Sequence, residues 1–135
     1  MKEQLLSTLE TSRAYTLAVA ESMPEGSYKV KPEGGGWNFM ELMHHIAYGI
    51  EWWTEYYIKG NEISWEQPAL KPNKKDIITY LNNSYNLLKS EVEKQNPTDG
   101  VIKGFNATLD HTTHHRGQAV VYLRCRGINP PEYVY

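Results

Sequence analysis

The stretch from Asn73 to Val92 constrains the fold more than any other. Ile78, Leu81, Tyr85, Leu88 and Val92 recur at alternating spacings of three and four residues, which places them on one face of an α-helix. A helix with a single apolar stripe must bury it against other elements. Asn73 stands before the stripe as an N-cap, and "QNPTDG" breaks it.

The rest of the chain repeats this pattern. Leu5, Leu6, Leu9, Thr16, Leu17 and Ala20 lie near one face of a first helix that ends before Pro24. "PEGSYKVKPEGGGWN" then reads as a loop. Asn38 with Glu41 three positions on has the capping-box pattern, and opens a second helix running to Lys59, with Gly60 as its stop. A second loop, "NEISWEQPALKPN", leads to Asn73. The fourth helix is expected to begin between Asn106 and Thr108, after a short extended "VIKGF". It should end at Arg126, before Gly127 and Pro130-Pro131. Helices of roughly 20 residues, each about 30 Å long, with no strand alternation, predict an all-α four-helix bundle. One domain over residues 1–135 accommodates them.

Composition removes several function classes. Ten Tyr and four Trp among 40% apolar residues indicate a packed globule and not a disordered chain. The net charge is −2, and Lys and Arg never cluster beyond adjacent pairs, so no footprint for nucleic acid is present. No apolar run approaches a membrane span, and the N-terminus has no signal-type apolar block. The lone Cys125 fits a reducing compartment. Together these features predict a cytoplasmic protein that engages neither nucleic acid nor membrane.

All five histidines lie in two short stretches, "MHHIA" and "DHTTHHRGQ". On the second helix Phe39, Leu42, Ile46, Ile50, Trp53 and Tyr57 define the core side. His45 falls on its flank with Gly49, Trp52 and Tyr56, whereas His44 falls among Glu41, Glu51 and Glu55 and is expected to be solvated. On the fourth helix His111 and His115 share an inward stripe with Thr108, Gln118, Ala119 and Tyr122, and His114 points to one side. Residues four apart on a helix have Cβ atoms about 5–6 Å apart. Two imidazoles at that spacing can therefore reach one ion at the roughly 2.0–2.1 Å of a zinc–nitrogen bond. His45 is the candidate for a third ligand. His111 with His114 is an alternative chelate, and a pair hydrogen-bonded to Tyr or Gln side chains with no metal is a further reading.

Other features read as structural. The four tryptophans are first of all core or loop anchors, with Trp52 and Tyr56 also suited to wall a pocket. "PEGGGW" lacks the Lys-Ser/Thr of a phosphate loop and follows no strand. Cys125 lies too far beyond His115 to share its ion. Asp110 and Glu51 both point away from the inward stripe.

"HTTHHRGQ" followed by "YLRCRGINPP", and preceded by "GGWNFMELMHHIA", resembles the DinB/YfiT-like superfamily of metal-binding four-helix bundles. The likeness extends to "NKKDIITYLNNSYNLL" and so covers most of the chain. It implies a metal site at His45, His111 and His115, the same three residues that the helical faces favour. It also implies zinc or nickel as the ion, a homodimer, and in some relatives a low-molecular-weight thiol as co-substrate. Gln118 and Tyr122 are expected beside the pair, because metal-bound imidazoles need outer hydrogen-bond partners. Gly117 is read as permitting close helix approach, and Arg116 as an outer-surface or interface contact.

Two functions fit these residues. Three protein ligands leave an open coordination position, as in catalytic zinc sites, which suits a metal-dependent thiol S-transferase or hydrolase. The absence of a placed general acid or base suits instead a non-catalytic, stress-linked dimeric module that binds a small ligand, its metal structural or absent. Shared fold alone does not choose between them.

Overall fold

The computed structural model describes residues 1–134. Four helices form the bundle: α1 (Lys2–Ser22), α2 (Phe39–Trp53), α3 (Lys74–Lys94) and α4 (Asp99–Cys125). No strand occurs among the described residues. Both α1 and α2 pack against α3 and α4. None of the described helices is long and apolar enough to cross a membrane.

The helix ends follow local chemistry. The Asn38 side chain accepts from the Glu41 amide, and the Glu41 carboxylate accepts from the Asn38 amide, completing the capping box. Asn73 caps α3 in the same way by accepting from the Asp76 amide. Gly60 and Gly127 have φ of +80° and +72°, the left-handed conformation that lets a chain leave a helix. The stripe of α3 is buried at Leu81, Tyr85, Leu88 and Val92, with Ile78 half-buried beside it.

Two boundaries differ from expectation. α4 starts at Asp99, not near Asn106, because Thr98 caps it by accepting from the Val101 amide. "VIKGF" is therefore helical. Its Gly104 does not break the helix but admits a neighbour: a Cβ there would stand 3.1 Å from the Tyr57 Cβ and 3.2 Å from the Tyr57 carbonyl oxygen. The neighbour is the second departure. α2 does not continue regularly to Lys59, but passes into one π-helical turn over Thr54–Ile58. That wider turn changes the register of the following side chains, and Tyr57, expected on the core side, is half exposed.

α2 is the most enclosed helix. From Phe39 to Ile50 only Glu41 is less than buried. α3 and α4 flank it, and the irregular segment 61–72 folds back across its remaining face. Its side chains hold that segment: the Tyr48 hydroxyl accepts from the Glu66 amide at 2.8 Å, and Trp52 Nε1 donates to the Ser64 carbonyl at 3.2 Å.

Candidate metal centre

The capping box sets where α2 begins, and so fixes His45 on the side facing α4. There it meets His111 and His115. The His45 Nε2 atom lies 3.2 Å from His111 Nε2 and 3.1 Å from His115 Nε2. Tetrahedral ligands at roughly 2.0–2.1 Å from one ion stand about 3.3–3.4 Å from each other. The two distances from His45 thus fit ligands of a single ion, the ligand atoms of all three residues lie within 4.8 Å of one another, and the cluster can hold one ion.

The surroundings keep lone pairs available. Burial, then the neighbouring imidazoles, push His45 down to about 4. Burial, followed by His115 and His114, takes His111 to about 4 as well. His115 is also lowered, chiefly by burial. All three are therefore neutral near pH 7. His115 Nδ1 donates to Gln118 Oε1 at 2.8 Å, and this leaves its Nε2 unprotonated and facing His45. His45 Nδ1 lies 3.3 Å from the side-chain amide of Gln67. A half-turn of that amide presents its oxygen to an Nδ1–H and frees the His45 Nε2 lone pair.

Indoles wall the cluster. Trp53 stacks on His111, centroids 4.4 Å apart at 23°, and Trp37 lies 4.5 Å from the His45 ring and 5.9 Å from His115. Trp65, carried by segment 61–72, lies 5.5 Å from His45 and 6.4 Å from His111. A cleft of about 120 Å³ between Trp37, Glu41, Gln67 and Leu70 opens beside this wall.

The profile of the DinB superfamily matches residues 8–119. The chain belongs to the DinB superfamily. No curated protein matches it. The matched span contains all three clustered histidines of this DinB chain, and also Trp37, Trp53, Trp65, Gln67 and Gln118.

The remaining expected site residues distribute unevenly. Gln118 touches His115. The Tyr122 hydroxyl donates to the Trp37 carbonyl at 2.7 Å and so fixes the backbone that carries that indole. Trp52 and Tyr56 stack on one another at 4.8 Å and 13°. They form an outer aromatic layer that reaches the cluster through Trp65, 5.3 Å from Trp52. His114 is exposed and outside the cluster, its ring 4.9 Å from His115, so the geometry does not bring together an Nε2 set through His114.

Three expectations are corrected. His44 is not solvated but 2% exposed; segment 61–72 covers it, His44 Nε2 donates to the Pro68 carbonyl at 3.3 Å, and Tyr80 packs on its ring. Burial lowers its pKa. Arg116 is not an outer contact but 4% exposed, turned into α1. Gly117 permits no close approach, since a Cβ there would meet nothing within 4 Å. That role falls to Gly49, against which His111 lies. The expectation for Glu51 has a cause: its carboxylate accepts from the Tyr80 hydroxyl at 2.8 Å, away from the cluster.

Proposed function

We propose that this DinB-superfamily chain binds one divalent transition-metal ion, zinc or nickel, through the Nε2 atoms of His45, His111 and His115, and uses it in thiol transfer or hydrolysis. The convergence of three neutral imidazoles, with His45 Nε2 3.2 Å from His111 Nε2 and 3.1 Å from His115 Nε2, carries this reading. Bound there with three protein ligands, such an ion supplies a Lewis acid that polarises a substrate oxygen and lowers the pKa of a coordinated thiol or water.

The protein's own groups do the rest. Gln118 holds the His115 tautomer, and Gln67 does the same for His45 once its amide is turned to set the oxygen, in place of the nitrogen, against Nδ1. Trp37, Trp53 and Trp65 pack on the imidazoles and lower the polarity around them, which strengthens electrostatic interactions within the site. The indoles of Trp37, Trp53 and Trp65 lie against the histidine rings, which favours a substrate with an apolar or aromatic portion beside the reacting atom.

Metal analysis of protein produced in zinc- or nickel-supplemented medium tests the reading, together with activity toward a thiol-transfer and ester/amide panel. Expected are about one equivalent of metal, and turnover that is lost on chelation and restored by the ion. Retention of less than roughly a tenth of an equivalent would defeat it.

A non-catalytic, ligand-binding module is the second reading. It rests on the engagement of Glu51 with Tyr80 and the exposure of Asp110, and among the described residues no carboxylate joins the ligand group. Full metal loading with no turnover, but with ligand-dependent thermal shifts, would favour it.

A further inference from the structure

Arg116 is a buried cation without a carboxylate. It is 4% exposed, and among the described residues no Asp or Glu oxygen lies within 4.0 Å of its guanidinium. Among the described residues only one of its nitrogens is bonded: Nη1 donates to Thr16 Oγ1 at 3.1 Å and to the Ser12 carbonyl and Oγ at 3.4 Å. The Tyr15 ring lies 4.8 Å away and the Tyr133 ring 5.9 Å. Nε and Nη2 donate to no described residue, yet neither is sealed from solvent.

Arg116 belongs to the wall of a cleft of about 430 Å³ between α1, α4 and the tail residues 130–133. Arg124 adds a second guanidinium, and Tyr15, Val120 and Pro131 add apolar surface. Glu132 is the one carboxylate on this wall, so two fixed positive charges face one negative. A neighbouring groove of about 390 Å³ shares Arg116 and is lined by Ser and Thr hydroxyls, with Asp110 exposed at its side.

We propose that this cleft binds a small organic acid, its carboxylate on the free edge of Arg116 and its apolar body against Tyr15, Val120 and Pro131. Burying an unpaired charge is costly, and ring faces offset only part of that cost. A purely structural arginine needs only the Nη1 contacts to α1, which leave the opposite edge unused. The Nε–Nη2 edge is a planar two-donor fork, matched to a carboxylate's two oxygens. Arg124 draws the anion in, and the cleft falls within the size range of small-molecule sites. The site is independent of the histidine cluster, because Arg116 leaves α4 toward α1 whereas His115 faces α2.

The test is an NMR titration of the full chain, freed of metal by chelation, with benzoate, its neutral isostere benzamide, and inorganic phosphate. Benzoate is expected to give saturable shifts at Thr113, Arg116 and Val120, with benzamide weaker by about tenfold or more. Arg116→Lys keeps the charge but loses the fork and should weaken benzoate about tenfold. Should that variant fail to fold, Val120→Trp, which fills the cleft, and Arg124→Gln carry the test from half-buried and exposed positions. Both are expected to weaken benzoate binding. No saturation at roughly 10 mM benzoate would overturn the proposal. Equal binding of benzamide, or binding of phosphate alone, would also overturn it. Shifts centred on His45, His111 and His115 would assign the ligand to the metal cluster and overturn it as well.

Discussion

His111 lies against the bare backbone of Gly49: a Cβ there would stand 2.6 Å from its Cε1 atom and 2.7 Å from Nδ1. Absence of a side chain on α2 is thus what lets an α4 imidazole approach His45. Gly49→Ala should displace the His111 ring, costing roughly 1–3 kcal/mol in the metal-free protein through overpacking. Metal affinity should fall by about tenfold or more. Urea midpoints of chelated protein and a competition titration for zinc measure the two effects. An unchanged zinc affinity would show that the ring position does not matter.

The helical faces separated His45 from His44 and paired His111 with His115, because spacing along α2 and α4 is a local property that periodicity carries. Burial of His44 was not legible. It depends on segment 61–72, which has no period and crosses α2 only in three dimensions. For the same reason Trp65 reads in the sequence as a core or loop anchor, and nothing local marks Gln67. Trp53 was read as a core residue, and its stacking on His111 requires the π-turn and α4 to be known together. Arg116 illustrates the opposite error: a charged residue off the inward stripe suggests solvent, but a bundle helix has a second neighbour, and α1 takes that face.

Alanine at each histidine should sort the five. His45→Ala, His111→Ala and His115→Ala are each expected to reduce metal affinity by about a hundredfold or more, since each removes one of three protein ligands. His114→Ala should leave affinity within about threefold, because its exposed ring lies outside the cluster. His44→Ala should lower the thermal midpoint, as a buried ring contacting Tyr80 is lost, while metal stoichiometry stays at one. Stoichiometric metal in a His111→Ala/His115→Ala double variant would rule out this ligand set.

Gln118 and Gln67 are expected to act through the histidines and not on the ion directly. Gln118→Ala removes the acceptor that holds His115 Nδ1–H and should cost about tenfold in zinc affinity. Gln118→Glu replaces a neutral acceptor with a charged one and should recover or exceed the original affinity. Gln67→Ala should also weaken binding, and by less, since its contact with His45 is 3.3 Å long and rests on an irregular segment. Isothermal titration of the three variants, with circular dichroism to confirm helicity, checks the order. Equal affinity in Gln118→Ala and Gln118→Glu would remove the outer hydrogen bond from the argument.

Acid should destabilise the metal-free protein through the same histidines. In the folded chain His45 and His111 are lowered to about 4, first by burial and then by neighbouring imidazoles. Their usual value is 6.5. Between those values the unfolded chain binds more protons than the folded one, so stability rises with pH. The contribution is complete above the unfolded value and is lost as pH falls from about 6.5 toward about 4. His44 and His115, also lowered chiefly by burial, act in the same direction. Urea midpoints of chelated protein at about pH 7 and about pH 5 should therefore differ, and the difference should shrink in His111→Asn. Zinc-loaded protein should hold its midpoint further into acid, because the ion binds only neutral imidazoles and opposes their protonation. A pH slope that His111→Asn leaves untouched would place the acid sensitivity outside the cluster.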